Sequence, residues 1–355
     1  MPLFWKKAKG KTLSVDVGSA ANKILVSEGV YPDKFTVHDY RIIHVSTTGK
    51  PVNPNELPNI LKDALASLRV RTSDVRATLL GRQAVVRVVE MPKINREELK
   101  TAAGFNLNRF IPLNPDEAVF DCAALAGVPA REGWQKCILV AARRTIVDQH
   151  NELFRAAGIP PLLLDVEPVA VMNAFIATGD DFDRERNLTR VENDGVALVH
   201  LGASHTDLCI LRGHVPMACR TMEFGANEMV QELATVQRLE YAQALQAIQE
   251  GTHEAVRPAV EKFIARVANE VTTSLGYCQR EFDLKSNRLY VSGGPANNQM
   301  VTDLLQERSG IATFRFDPFL RADLAPLENR ISDFRAAAAT FTPALGLAVR
   351  SLGLD

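Results

Sequence analysis

Two stretches of this chain, half its length apart, resemble one another, and that internal repeat constrains the fold more than any single motif. Residues 13–29, LSVDVGSAANKILVSEG, align without a gap on residues 197–213, ALVHLGASHTDLCILRG, 184 positions later in a chain of 355. In both, apolar residues alternate, small residues cluster around a glycine (Gly18, Gly202), and a second apolar run closes on another (Gly29, Gly213). Period-two alternation marks a strand with one buried face, and small residues between two such runs mark a tight turn. Each segment reads as a β-hairpin. Hairpins look alike by construction, so chance similarity is one explanation; the other, which the half-chain offset favours, is two related halves each opened by a hairpin.

Between the hairpins the pattern is mixed α/β. Residues 55–68 carry Leu57, Ile60, Leu61, Ala64 and Leu68 at helical spacing, and 75–80 and 84–89 read as strands. Met91-Pro92 breaks the second of these. Asn95 ahead of Arg96-Glu97-Glu98 predicts an N-cap with acidic first-turn residues, for a helix running to about residue 110. A strand at 136–142, a helix at 146–157, a strand at 162–166 and a helix from Glu167-Pro168 through Phe175 follow. Residues 179–195, GDDFDRERNLTRVENDG, are so charged that they read as a hinge or surface loop between halves. The second half continues with a strand at 217–222, helices at 227–233, 241–249 and 256–282, strands at 288–292 and 312–316, and a closing helix at 343–352. In the long helix Val260, Phe263, Ile264, Val267, Val271, Leu275 and Cys278 form a core stripe.

Composition removes several classes of function. Lys plus Arg number 41 against 42 Asp plus Glu, so a net charge of -1 supplies no field to hold a nucleic acid. The cysteines (Cys122, Cys137, Cys209, Cys219, Cys278) are five, scattered and without a C-x-x-C pair, which fits reduced, buried thiols rather than a disulfide framework or a cysteine zinc site. No uncharged apolar run approaches the ~18 residues of a membrane span, and the N-terminus lacks the order of a secretory signal. A cytoplasmic protein is the expectation. Phe4 and Trp5 beside Lys6, Lys7, Lys9 and Lys11 read as a short mobile tail or as a segment resting on an anionic membrane surface.

The turns suggest chemistry. In Asp16-Val17-Gly18-Ser19-Ala20-Ala21-Asn22-Lys23 small residues let a ligand approach the main chain, and backbone N–H groups suit phosphate oxygens. Ser19 adds a hydroxyl, Lys23 a compensating charge, and Asp16 a carboxylate able to take Mg2+ through its water shell. Gly202-Ala203-Ser204-His205-Thr206 supplies a second set of donors, and two such turns face to face would clasp a nucleotide's phosphates. In Leu289-Tyr290-Val291-Ser292-Gly293-Gly294-Pro295-Ala296-Asn297 a buried strand ends in paired glycines that let the backbone pass close to a base or sugar.

In this order DVGS, LDVEPVAV, LGASHT and LYVSGGPANN resemble the phosphate-1, connecting, phosphate-2 and adenosine motifs of the actin, Hsp70 and sugar-kinase ATPase superfamily. Within it the chain most resembles the PilM-type proteins of type IV pilus assembly, themselves similar to the cell-division protein FtsA. The segments VVRVVEMPKINREELKTAAGFNLNRFIPLNPDEAVFDC, ILVAARRTIVDQHNELFRAAGIPPLLLDVEPVAV, MEFGANEMVQEL, FDPF and PALGLAVR carry that likeness, over about residues 12–350. It implies an α/β, actin-like two-lobed fold with duplicated mixed-sheet halves around a nucleotide cleft. The implied partition is a flexible basic segment (1–11), the first half (12–83 and 161–190), an inserted extra subdomain of the FtsA and PilM type (84–160), and the second half (191–355) with a helical subdomain at about 225–285.

The resemblance also implies ATP and Mg2+ as cofactors. Gly18, Ser19 and Lys23 would line one side of the phosphates, and Gly202, Ala203, Ser204 and Thr206 the other. Gly293, Gly294 and Asn297 would border the adenosine, and Asp16 and Glu167 would occupy the magnesium and attacking-water region as catalytic candidates. Glu270 would reach the ribose or lie on a solvated helix face. One position departs from the family: His200 stands where the second phosphate motif normally begins with Asp. A neutral imidazole cannot replace that charge, and loss of one water-orienting group typically costs ~10²- to 10⁴-fold in rate. Nucleotide binding with slow or absent hydrolysis is therefore expected, unless His200 merely points into the strand pair and Asp207 or a shifted water compensates.

For function the resemblance implies a cytoplasmic ATP-binding scaffold, peripheral at the inner membrane through its partners. The partner would be the N-terminal cytoplasmic tail of a PilN-type membrane protein, received at a groove to which residues 82–121 offer strand edges, with other pilus machinery proteins as further partners. Two other classes stay open. An FtsA-like filament protein of division or cell shape would carry a C-terminal amphipathic membrane helix, for which Leu347 to Asp355 is short and poor in basic residues. A small-metabolite kinase would need a carboxylate base aimed at a substrate hydroxyl.

Overall fold

The computed structural model describes residues 10–45, 56–68, 70, 72–79, 84–128, 130–188, 194–250 and 256–350, so most of the basic N-terminal segment, with Phe4 and Trp5, lies outside the described residues. The first half opens with strands β1 (Lys11–Asp16), β2 (Ala21–Glu28) and β3 (Thr36–His44), then helix α1 (Leu57–Leu68) and β4 (Asp74–Leu79). A separate antiparallel sheet follows, built from β5 (Ala84–Pro92), α2 (Arg96–Phe105), α3 (Leu107–Phe110), β6 (Ala118–Ala124) and β7 (Trp134–Arg143), its strands ordered β5-β7-β6. The chain returns through α4 (Arg144–Ala156) to β8 (Leu163–Val166) and α5 (Glu167–Glu185). The second half comprises β9 (Gly195–Leu201), β10 (Thr206–Arg212), β11 (Val215–Met222), α6 (Asn227–Gln237), α7 (Tyr241–Glu250), α8 (Val256–Phe282), β12 (Ser286–Gly293), α9 (Gln299–Ser309), β13 (Ala312–Arg315), α10 (Ile331–Ala337) and α11 (Thr342–Val349).

The two main sheets run β3-β2-β1-β4-β8 and β11-β10-β9-β12-β13. In each, the first three strands form an antiparallel meander, and the fourth and fifth lie parallel to the first. Chance likeness between two hairpins would not put the later strands in the same places with the same directions. The repeat is architectural, and the two-lobed α/β arrangement with duplicated mixed sheets is present.

The closing helix of each half reaches across to the other half. Helix α5 buries Val169, Met172, Phe175 and Phe182 in one cluster with Val196, Leu198, Cys209, Tyr290 and Phe316 of the second half. Conversely Leu345 and Val349 of α11 pack with Leu25 and Val37 of the first sheet. The two exchanged helices then touch backbone to backbone: a Cβ on Gly346 would stand 1.7 Å from the carbonyl oxygen of Ala170. A glycine is required at that crossing.

Other local expectations compare with the structure as follows. Asn95 caps α2, its side chain accepting from the Glu98 N–H at 2.9 Å, but the helix expected to reach residue 110 breaks at Asn106, whose amide donates to the Ala102 carbonyl. Strand β5 continues through Met91 to Pro92, which sits opposite Trp134 at the strand end, where a missing donor is harmless. Helix α8 has the expected bounds, with its stripe buried except for the half-buried Leu275. All five cysteines are free and buried. Among the described residues no helix is long and apolar enough to cross a membrane.

The charged segment 179–195 is a correction. Residues through Glu185 are the last turns of α5, and Asp181 and Asp183 are buried. Arg321 meets Asp181 at 3.0 Å, and Arg288 and the Tyr290 hydroxyl both reach Asp183. Charges that read as solvated are neutralised by partners more than 100 positions away in sequence.

Candidate functional site

The centre of the molecule is a buried polar cluster where the turns of the two hairpins meet the start of α5. Asp16 ends β1 with no exposed surface. Its Oδ1 accepts from Thr78 Oγ1 on the adjoining β4 at 3.0 Å, and its Oδ2 lies 2.9 Å from Nζ of Lys23, its partner in strand register. A carboxylate this deep persists only when paired. Burial acts to lower the Lys23 pKa, but the charges of Asp16 and then Glu167 outweigh it and raise the value. The turn is shaped from within: Gly18 N–H donates to Asn22 Oδ1 at 3.2 Å, and a Cβ on Gly18 would sit 2.5 Å from the Ala21 oxygen.

The repeat offset places His200 at the position of Asp16 and Asp207 at that of Lys23, so acid and base change places in the second hairpin. His200 and Asp207 are register partners, yet His200 turns to α5: Nε2 lies 2.9 Å from Glu167 Oε1, and Nδ1 lies 2.9 Å from Ser292 Oγ on β12. His205 takes the other carboxylate oxygen, with Nε2 2.8 Å from Glu167 Oε2 and 3.6 Å from Asp207 Oδ2. Asp207 Oδ1 accepts from Thr221 Oγ1. Glu167 is the first residue of α5, where Pro168 fits and a negative charge is favoured by the helix dipole. Two imidazoles thus clamp one carboxylate. Burial alone would raise the Glu167 pKa, but the His205 charge and the hydrogen bonds from both histidines hold it well below the ordinary value. Burial likewise works against His205, and Glu167 and Asp207 overcome it, lifting its pKa to about 11. His205 Nε2 thus stands between the Glu167 and Asp207 carboxylates.

The structure gathers Asp16, Lys23, Glu167 and His200 around one buried centre, with Gly18 and Ser19 in one turn and Gly202, Ala203 and Ser204 in the other. Gly202 is tight against the His205 backbone, where a Cβ would stand 2.8 Å from the carbonyl oxygen, and Ser204 Oγ lies 3.4 Å from His205 Nδ1. Gly293 has φ +94° and passes so near the end of β9 that a Cβ would stand 2.2 Å from the Leu201 oxygen, while a Cβ on Gly294 would meet nothing within 4 Å. Three of the expected residues have partners of their own. Thr206 is fully buried and gives its hydroxyl to the Phe224 carbonyl at 3.0 Å, because the small-residue turn ends one position earlier and Thr206 already belongs to β10. Glu270 pairs with Arg220 of β11 at 2.9 Å, and Asn297 donates to Thr340 at 2.9 Å. Thr78 and Thr221, which complete the cluster, lie in no motif and arrive by strand adjacency, whereas Asn22 and Ser292 lie within the quoted turn and adenosine motifs.

The first turn fits a phosphate group. Ser19 Oγ is buried without a hydrogen-bond partner, next to a lysine and a main chain kept open by small residues. At Asp16, where magnesium is expected through its water shell, Oδ1 accepts from Thr78 and Oδ2 faces Lys23 Nζ at 2.9 Å.

Comparison with known proteins agrees with this architecture. The sequence matches the family model of the type IV pilus assembly protein PilM over residues 14–352. Among solved structures, one titled PilM-PilN type IV pilus biogenesis complex superposes with a TM-score of 0.82 at 22% identity, covering 97% of this chain and 99% of that one. The ethanolamine utilization protein EutJ from Carboxydothermus hydrogenoformans superposes with a TM-score of 0.55 at 12% identity, covering 96% of this chain and 90% of its own. The shared fold is the actin-like, two-lobed one. Because the family match runs from β1 to the end of α11, taking in both hairpin turns and the Glu167 junction between them, the chain belongs to the PilM family of type IV pilus assembly proteins.

Proposed function

We propose that this protein is an ATP-binding scaffold of the type IV pilus machine that holds its nucleotide with very slow or no hydrolysis. The observation that carries the reading is the clamp on Glu167: a carboxylate held between His200 and His205 at 2.9 and 2.8 Å is not free to orient or deprotonate an attacking water. Asp16 is equally committed, to Thr78 and Lys23. The phosphates would instead meet Ser19 Oγ, Lys23 and the main chain of the Gly202-Ala203-Ser204 turn, groups that bind negative charge without activating water. Loss of general-base function alone lowers a rate ~10²- to 10⁴-fold.

The partner in this reading is the N-terminal cytoplasmic tail of a PilN-type inner-membrane protein, which would bring the chain to the membrane. The three-stranded sheet supports that role: β5 and β6 are its edge strands, and Phe105 at the end of α2 is 83% exposed. An edge strand, with an exposed aromatic on the neighbouring helix, suits an extended peptide added as a further strand. The deciding experiment measures ATP affinity with and without Mg2+, together with phosphate release, for wild type and His200→Asp. Tight binding with negligible release in the wild type, and release gained in the variant, is expected. Vigorous wild-type turnover would overturn the scaffold reading, and failure of an N-terminal tail peptide to be retained on the protein would overturn the partner.

A further inference from the structure

We propose that Glu167, His205 and Asp207 form a binding site for one divalent transition-metal ion, of which Zn2+ is the best match, occupied without any nucleotide. The three residues offer Glu167 Oε2, His205 Nε2 and Asp207 Oδ2, all within 4.8 Å of one another and all on buried residues. Tetrahedral zinc at about 2.0–2.2 Å from each donor sets ligand atoms roughly 3.3 Å apart. The separations here, 2.8 Å from His205 to Glu167 and 3.6 Å from His205 to Asp207, bracket that spacing.

A second observation points to a ligand independently. Asp207 is 1% exposed, its Oδ1 is satisfied by Thr221, and its Oδ2 accepts no hydrogen bond although it faces His205. An ionised oxygen left so in a protein interior is costly, and a metal ion satisfies it. The charge balance agrees. The metal takes the place of the His205 Nε2 proton, which is released to solvent; the carboxylates of Asp16, Glu167 and Asp207 then face one remaining cation, Lys23, a deficit of two charges that one divalent ion meets. The outer contacts are those a ligated site uses: Ser204 Oγ beside His205 Nδ1, Thr221 on Asp207, and His200 on the second oxygen of Glu167. His200 is thus a positioning residue rather than a ligand. Imidazole with two carboxylates selects zinc-like ions over Mg2+, which prefers an all-oxygen octahedron.

The test is equilibrium dialysis of the nucleotide-free full chain against Zn2+, with bound metal read by atomic absorption, and a parallel titration with Co2+. The expected result is one tightly held Zn2+ per chain and a Co2+ complex with intense tetrahedral absorption bands. Asp207→Asn and His205→Gln should each weaken Zn2+ binding by at least ~100-fold, and His200→Asn by ~10- to 100-fold, the range for an outer-contact residue. Glu28→Gln, which opens the exposed His38 pair, should leave it unchanged. Retention of wild-type affinity by Asp207→Asn, loss of binding in Glu28→Gln, or less than one ion per wild-type chain would each overturn the site. If the buried variants do not fold, the wild-type cobalt spectrum decides: the weak bands of a six-coordinate aqua ion refute the proposal. Since no nucleotide is present, the result is independent of the ATP-binding reading.

Discussion

The crossing of α5 and α11 predicts opposite outcomes for the same substitution at two helical glycines. In Gly346→Ala the new Cβ would lie 1.7 Å from the Ala170 oxygen, 2.5 Å from its carbonyl carbon and 3.0 Å from its Cα. The obstacle is main chain inside α5, so no side-chain rotation relieves it, and the helices must part by roughly 1.5 Å to restore van der Waals separation. A gap of even 0.5–1 Å forfeits about a quarter to a half of each dispersion contact. Those at risk join Ala344 and Leu345 to Ala174, Leu25 and Phe341. Overpacking of this kind costs typically about 1–3 kcal/mol, and the rigid obstacle places it near the upper end. Alanine regains about 1 kcal/mol of helix propensity, so the net loss is about 2 kcal/mol and, for a chain of 355 residues, the melting temperature falls by roughly 3 °C. In Gly276→Ala on α8 the nearest heavy atom is Arg280 Nη1 at 3.6 Å, so propensity acts alone and stability rises by up to about 1 kcal/mol. Thermal unfolding followed by circular dichroism measures both. A Gly346→Ala protein as stable as wild type would refute the backbone-contact argument.

Two further outcomes follow from buried groups. Arg76 donates to the carbonyls of Leu347, Ala348 and Arg350 at 3.0, 2.9 and 2.7 Å and pairs with Asp74 at 2.8 Å, tying the end of α11 to β4. Arg76→Met should cost about 3–5 kcal/mol by leaving these groups uncompensated, read as a lower urea midpoint, and an unchanged midpoint would show that the tie is replaceable. His150 has its pKa lowered by burial, only partly offset by the Ile146 carbonyl that its Nδ1 meets at 2.9 Å. The neutral form is favoured in the fold, so stability is fully present above the unfolded value of about 6.5 and is lost as pH falls through the folded value. Between pH 7.5 and 5.5 the wild type should lose more stability than His150→Gln; equal losses would place the acid sensitivity elsewhere.

What was legible in the sequence was whatever local spacing encodes. The two hairpins, the Asn95 cap and the full length of α8 follow from contacts made within a few residues, and the offset of 184 positions marked the duplicated sheet order. The family resemblance marked His200 as an unusual occupant of the first position of the second phosphate motif. Strands β3 and β6 escaped notice because their mixed, half-exposed residues lack a clear alternation. Only the tertiary structure decided the exchange of α5 and α11, the burial of Asp181 and Asp183, and the clamp that His200 and His205 close on Glu167. The reason is physical. A charged side chain carries the same letter whether water or a partner compensates it, and the partners here arrive from other strands and from the opposite half, set by packing that no local period records.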